Sequence, residues 1–266
     1  MSNLTELIAF AVHLADVAGE QILPRFRSSL GVDNKATAGR FDPVTIADRE
    51  AEAAIRREIH RVYPDHGVLG EEQGFEQGAS EYTWVIDPID GTRAFILGQL
   101  HWGTLIALSD GSRPIIGVMR QPYTAETFVG SSLGTELRRG AEVRKLTARK
   151  ATRLEDAVVC ATDPTMFETP ERRQAFDRLA AHARAVRYGG DCYTPCMVAA
   201  GCADLVVECG LKPWDVQPLI PILEGAGGVI TAWSGGRADA ADNMVIASNP
   251  GLHAQAIALL RSPADS

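Results

Sequence analysis

The sequence predicts a layered protein of mixed α+β and α/β character, built as two packed halves over residues 1–145 and 146–266. Three observations predict it. Two amphipathic helical segments open the chain. Short segments rich in β-branched and aromatic residues then follow one another, bounded by Gly, Pro and Asp, as in an antiparallel meander. Beyond Ala148 strand-like and helix-like segments alternate, the pattern of an α/β unit. A chain of 266 residues is long enough to bury most of its apolar surface in such an arrangement. No flexible spacer marks the boundary, so the halves are expected to share a rigid interface, with a metal site in the cleft between them.

The elements follow in order. Leu4, Leu7, Ile8, Ala11, Ala15, Ala18 and Ile22 recur at helical spacing, with Glu6, Asp16 and Glu20 on the opposite face. Pro24 ends or kinks this helix. "NKATAGRFDPVT" reads as a mobile hairpin or loop. A second helix runs from Thr45 to Pro64, opened by Thr45 and Asp48 at capping-box spacing. "GVLGEEQG" reads as a short strand entering a loop. Four strands of a largely antiparallel sheet are expected at "TWVIDPID", "WGTLIALSDG", "RPIIGVMRQP" and "ETFVGSSLG". In the second half, "AVVCAT", "DLVVE", "GGVITAW" and "NMVIAS" are strands. Helices separate them near Pro170–His182, Cys192–Gly201, Val216–Ala226 and Pro250–Leu260. Pro218 suits the first turn of the third of these, and Pro221 is expected to bend it.

Composition narrows the function. A net charge of −8 argues against nucleic acid as the main partner. The five cysteines form no C-x-x-C pair, which fits scattered core thiols in a reducing cytoplasm rather than a disulfide or zinc framework. The first residues lack the basic start of a secretory leader, and the apolar runs are too short for a bilayer. A cytoplasmic location without membrane contact is therefore expected.

The chemistry concentrates in Trp84–Thr92, "WVIDPIDGT". Pro88 keeps Asp87 out of the helical region, so Asp87 and Asp90 are expected at a turn closing a buried strand. Gly91 allows close backbone approach. A helix starting at Gly91 or Thr92 would aim free N–H groups at an anion. Alone, the stretch also reads as a turn with an Asp cap. Three further acids alter the balance: Glu71 after a strand, Asp215 heading a helix, and Asp48 in a first turn. Each has a plain reading as well, as a solvated turn residue, an N-cap and half of a capping box.

"GEE", "WVIDPIDGT", and "WD" ahead of "EGAGG", in this order and over essentially the whole chain, resemble the inositol monophosphatase family of magnesium-dependent phosphomonoesterases. The resemblance implies a five-layer αβαβα sandwich. It implies two or three Mg2+ ions, a small phosphomonoester as substrate, and a homodimer. Glu71, Asp87 and the Ile89 carbonyl match metal ligands. Asp90 and Asp215 match ligands of a second ion, with Asp87 bridging. Asp48 and Thr92 match a pair that orients the attacking water, and Gly91 and Thr92 match amides that hold the phosphate. Lys35 corresponds to a loop lysine at stretched spacing. Glu72 is left out, because neighbouring extended residues face opposite ways. The donor types agree, since carboxylates without a His or Cys cluster select Mg2+ over Zn2+. Two like charges about 4 Å apart repel by roughly 4 kcal/mol at an effective dielectric near 20, so four gathered acids require cations or protons. Direct attack by water without a phosphoenzyme is expected.

Residues beyond the motif bear on the ester. Arg93 in "DGTRAF", together with "WGTLIAL", resembles the bacterial histidinol-phosphate phosphatase branch of that family. Asp191 in "RYGGDCY" and Glu208, seven residues before Asp215, would pair with the ammonium of L-histidinol phosphate, a substrate of histidine biosynthesis. Arg187 has two readings, a phosphate contact and a surface charge. Trp102 also has two, a ring-stacking wall and a core residue. An inositol-1-phosphate or broad sugar phosphatase is the alternative. A binding protein of the transcription machinery is a third reading, opposed by the full ligand set.

Overall fold

The computed structural model describes residues 3–28, 32–34, 43–150 and 153–261. Asn3 caps α1 (Leu4–Ile22), accepting from the Thr5 N–H, while Glu6 accepts from the Asn3 N–H. A single 3-10 turn holding Pro24 ends the helix. With this turn, α1 is long and apolar enough to cross a membrane by length and composition, contrary to the reading from uninterrupted runs. Its stripe is nevertheless occupied by the core. Ala11, Leu14, Ala15, Ala18 and Ile22 have no exposed surface, and Asp16 on the other face pairs with Arg120.

The expected hairpin forms, with β1 (Val32–Asn34) antiparallel to β2 (Pro43–Thr45). Lys35 and the rest of the connection lie outside the described residues. In α2 (Ile46–Val62) the capping box is present: Asp48 accepts from the Thr45 N–H, and the Thr45 hydroxyl accepts from the Ala47 N–H.

The first sheet comprises β3 (Gly67–Gly70), β4 (Gly74–Glu76), β5 (Thr83–Asp90), β6 (Gly103–Ser109), β7 (Pro114–Gln121), β8 (Glu126–Ser131), β9 (Gly134–Arg139) and β10 (Glu142–Lys145). Its order is β10-β9-β8-β7-β6-β5-β3-β4. The pairing is antiparallel except between β3 and β5. The four expected strands are β5 to β8. The reading missed β4, β9 and β10: β4 and β10 are exposed at every position, and β9 is fully buried only at Thr135, so none carries an apolar alternation. Helix α3 (Thr92–Ile96) follows β5 directly.

In the second half lie β11 (Val158–Ala161), α4 (Pro170–His182), β12 (Ala185–Tyr188), α5 (Tyr193–Ala199), β13 (Leu205–Cys209), α6 (Pro213–Val216), α7 (Leu219–Gly225), β14 (Val229–Thr231), β15 (Asn243–Ala247) and α8 (Pro250–Arg261). The sheet order is β12-β11-β13-β15-β14. One helix was expected over Val216–Ala226, bent by Pro221; two are found. Pro218 stands as N-cap of α7, so Pro221 is its third residue. An N–H in the first turn has no intrahelical acceptor, so proline there breaks no hydrogen bond.

Alternation along the strands sorts the core into three layers. Ile106 and Ile116 pack with α1 and α2. Leu105, Met119 and Phe128 face the middle layer of α5 and α7, which Val206 and Ile246 close from the second sheet. Leu205, Val207 and Val245 meet Phe176 and Leu252 of α4 and α8. The result is the αβαβα sandwich. Close contact of α7 with the first sheet depends on Gly117 and Gly130. A Cβ on Gly117 would lie 1.9 Å from the Pro218 oxygen, and one on Gly130 would lie 2.3 Å from the Ile222 Cα.

Candidate active site

The end of β5 differs from the expected turn. The strand continues to Asp90, but its register against β6 shifts between Asp87 and Asp90. Pro88 lacks an N–H for the ladder, and its carbonyl instead accepts from the Thr104 hydroxyl at 2.8 Å. The Asp87 carboxylate accepts from the Ile89 N–H at 3.0 Å, a local turn that fixes its rotamer. Gly91 then adopts φ +80° as the N-cap of α3. A Cβ there would sit 3.0 Å from the Asp191 side chain and 3.1 Å from the Trp102 Cα.

Carboxylate oxygens of Asp87, Asp90 and Asp215 lie within 4.8 Å of one another. Each side chain is held by a backbone donor: Asp87 by Ile89, Asp90 by the Cys192 N–H ahead of α5, and Asp215 by the Lys212 N–H ahead of α6. Burial, and then repulsion from Glu71, Asp90 and Asp215, pushes the Asp87 carboxyl well up. Asp215 is raised by burial and by Asp90. Asp90 is raised to about 6, chiefly by burial. Asp87 is buried and Asp90 and Asp215 are half-buried; mutually repelling oxygens at this spacing are a poor resting place for bare charge and a good one for a hard divalent cation. The residues therefore fit Mg2+.

These acids open on a cleft of about 410 Å³, which Glu71, Ile89, Gly91, Thr92 and Arg93 also line. Thr162, Asp163 and Cys209 of the second sheet and its connections form the facing wall. The Thr92 hydroxyl donates to the Ile89 carbonyl at 3.0 Å. Asp48 is buried, and its carboxylate accepts from the Thr45 N–H and hydroxyl at 2.8 and 2.6 Å. Burial raises its pKa and Glu71 adds repulsion. Among the described residues no hydrogen bond joins Asp48 to Thr92.

A smaller cavity of about 90 Å³ adjoins the acids and is lined by Asp90, Asp215, Asp191 and Glu208. Glu208 accepts from the Thr162 N–H and hydroxyl at 3.2 and 2.6 Å. Burial lifts Glu208 to about 7. Burial lifts Asp191 to about 8, with repulsion from Asp90 and Glu208 added and the Arg93 guanidinium acting in the opposite sense. Asp191 itself has φ +39°, a left-handed conformation unusual for an aspartate. Arg187 is not brought to either cavity; it is exposed on β12. Trp102 is fully buried against Phe26 and Phe95, the core reading.

Two shaping residues escaped the sequence reading. Thr162 anchors Glu208, and its only signal was a hydroxyl at a strand end. Glu52 is fully buried and bonded to Arg56 and to the turn after Glu71. Its only mark in the sequence was an acid four residues ahead of Arg56.

Comparison with known proteins agrees with this geometry. The model of the inositol monophosphatase family matches residues 3–264. The chloroplastic bifunctional phosphatase IMPL2 of Arabidopsis thaliana is 38% identical over 267 residues, covering 95% of this chain and 75% of that protein. A histidinol-phosphatase of Chlorobaculum parvum is 36% identical over 227 residues, covering 85% of each chain. The solved structure of an inositol monophosphatase from Zymomonas mobilis superposes with a TM-score of 0.86 at 37% identity, over 98% of this chain and 100% of that one. By family model, by sequence and by fold alike, this chain belongs to the inositol monophosphatase family, as one of its phosphatases.

Proposed function

We propose that the protein is a magnesium-dependent phosphomonoesterase that hydrolyses L-histidinol phosphate to L-histidinol and phosphate. The observation that carries the choice of ester is the small cavity. Asp191 and Glu208 share it beside the metal-site acids, and both are pushed up, to about 8 and about 7. Such a site favours a cation in the substrate, and the ammonium of L-histidinol phosphate supplies one. A neutral polyol does not.

In this reading Glu71, Asp87, the Ile89 carbonyl, Asp90 and Asp215 hold the metal, with the phosphate seated against Gly91 and Thr92. Mg2+ bound there supplies positive charge to the phosphate oxygens and acidifies water at the site. The Thr92 hydroxyl donates its hydrogen bond to the Ile89 carbonyl, so the hydroxyl oxygen keeps its lone pairs to accept from a water in the cleft. Asp48 supports that water from the α2 side. The Cys209 thiol lines the cleft but burial pushes it up to about 12, so it stays protonated, in keeping with water as nucleophile. Asp191 and Glu208 take the ammonium.

The test is a set of esters at fixed Mg2+. L-histidinol phosphate is expected to exceed inositol-1-phosphate in kcat/KM by at least about tenfold, roughly 1.4 kcal/mol. Parity would refute the choice. Asp191→Asn is expected to reduce turnover of L-histidinol phosphate more than that of a simple aryl phosphate; equal losses would make Asp191 a scaffold residue. An inositol-1-phosphatase is the second reading. It is favoured by the Zymomonas mobilis likeness and by Glu208, whose carboxylate suits a substrate hydroxyl equally well.

A further inference from the structure

Glu71 lies in the turn between β3 and β4. β3 ends at Gly70, β4 begins at Gly74, and both β4 and the turn's tip are exposed. What grips the turn comes from beneath it. The Glu52 carboxylate on α2 has no exposed surface and accepts from the Glu72 N–H at 2.8 Å and the Gln73 N–H at 3.0 Å. The Arg56 Nε donates to the same carboxylate at 2.9 Å. Arg56 also donates to the Gly74 carbonyl at 2.5 Å and reaches the Glu76 carboxylate at 3.4 Å. The pair therefore binds residues 72 to 76 to α2 through both backbone and side chain. Gly70 leaves the necessary room, because a Cβ there would lie 2.2 Å from the nearer Glu52 oxygen.

From this geometry we infer that Glu52, neutralised by Arg56, is a positioning residue that sets Glu71 at the metal site. The inference rests on the proposed reading of Glu71 as a metal ligand. A buried carboxylate bound to two consecutive N–H groups fixes the peptide planes just after Glu71, and Glu71 has little other freedom because its own N–H is tied to the Ile86 carbonyl at 3.2 Å. A metal ligand must hold its oxygen to within a few tenths of an ångström, so loosening the turn weakens the metal before it alters any reacting group. α2 also carries Asp48 in its first turn, so one helix sets both the water-side acid and, through Glu52, the metal-side acid.

The test measures Mn2+ binding by electron paramagnetic resonance on chelator-treated protein, together with the Mg2+ concentration for half-maximal activity. Glu52→Gln keeps the shape but replaces one acceptor oxygen by an amide that cannot accept. It is expected to weaken Mn2+ binding at least about tenfold and to raise the Mg2+ requirement in parallel, while kcat at saturating Mg2+ falls far less. Asp204→Asn is the control. It removes another buried carboxylate with an arginine and a backbone N–H as partners, just ahead of β13, and should lower stability without moving Mn2+ affinity. If Glu52→Gln does not fold, Arg56→Lys carries the same expectation, since it keeps the charge and loses the fork. Wild-type Mn2+ affinity in a folded Glu52 or Arg56 variant, alongside weakened binding in Glu71→Gln, would overturn this inference alone. Wild-type affinity in Glu71→Gln would overturn the ligand reading and this inference with it.

Discussion

Gly91→Ala is the most discriminating single perturbation of the site. The residue has φ +80°, where an alanine pays roughly 1–2 kcal/mol for its Cβ against the carbonyl. The new Cβ would also stand 3.0 Å from Asp191 carbons and 3.1 Å from the Trp102 Cα, where carbon contacts ordinarily begin near 3.5 Å. Trp102 is fully buried and cannot retreat, so Asp191 must move by roughly 0.5 Å or more. Asp191 is covalently joined to Cys192, whose N–H holds Asp90, so the displacement reaches an acid of the proposed metal site. Misplacement on the order of 1 Å costs about a hundredfold in rate. Gly140→Ala separates strain from contact, because Gly140 has φ +58° with nothing within 4 Å of its would-be Cβ. The assay is kcat/KM on a phosphomonoester at saturating Mg2+, with thermal unfolding in parallel. Both variants are expected to lose a few degrees of Tm, at about 2–4 °C per kcal/mol for a chain of this size. Only Gly91→Ala is expected to lose activity, by about a hundredfold. Near-wild-type kcat/KM in Gly91→Ala, or an equal loss in Gly140→Ala, would refute the packing argument.

Two pH predictions follow from the buried groups. Asp87, Asp90 and Asp215 have raised pKa values in the metal-free fold, Asp90 reaching about 6 from 3.8. The folded state thus binds protons more tightly than the unfolded chain, so their stabilising contribution is full below pH 3.8 and is lost as pH rises through the folded values. Bound Mg2+ offsets that loss, and the Tm gap between metal-loaded and chelated protein should widen from pH 5 to pH 8; a constant gap would count against the acids as the metal site. His66 behaves in the opposite sense. Its Nδ1 accepts from the Trp84 Nε1–H at 3.1 Å, and burial lowers its pKa below 6.5. Its contribution is present above pH 6.5 and is lost as pH falls through the depressed folded value. Urea midpoints measured from pH 7.5 to 5 should fall more steeply in wild type than in His66→Gln, and parallel slopes would remove His66 from the account.

The fold was legible where burial marks the order of residues, as a stripe on α1 and as near-continuous apolar runs in β5 to β8. The stripe of α1, the four strands β5 to β8 and the alternation after Ala148 all announce a buried face in the order of residues. It was illegible where an element faces water or is defined by a distant partner. β12 is mostly exposed and owes its place to pairing with β11, so "ARAVRY" gave no alternation and the position of Arg187 could not be read. Glu52 presented the same difficulty inside the core. An acid followed four residues later by Arg56 is the ordinary mark of a solvated helix face. Only the tertiary fold turns that face inward, onto a turn twenty residues away.

The site itself was legible for a reason that alters how its acids should be read. Asp48, Asp90 and Asp215 each had a plain reading as turn or cap residues, set against the reading as metal-site or water-orienting residues. In the structure the backbone bonds of the plain reading are all present, and the proposed site roles use the same carboxylates. Asp48 caps Thr45, Asp215 accepts from the Lys212 N–H, and Asp90 accepts from the Cys192 N–H ahead of α5. An isolated buried carboxylate would swing or take up a proton. One tied to a backbone donor at a helix start is oriented by a bond that belongs to the fold, and that bond offsets part of the rise that burial imposes on its pKa. A carboxylate has about four acceptor positions, and one or two such bonds leave others for a metal or a water. Capping is thus the means by which Asp90 and Asp215, far apart in sequence, deliver aimed, ionisable oxygens to one cleft. For these residues the cap signal in the sequence supports the site.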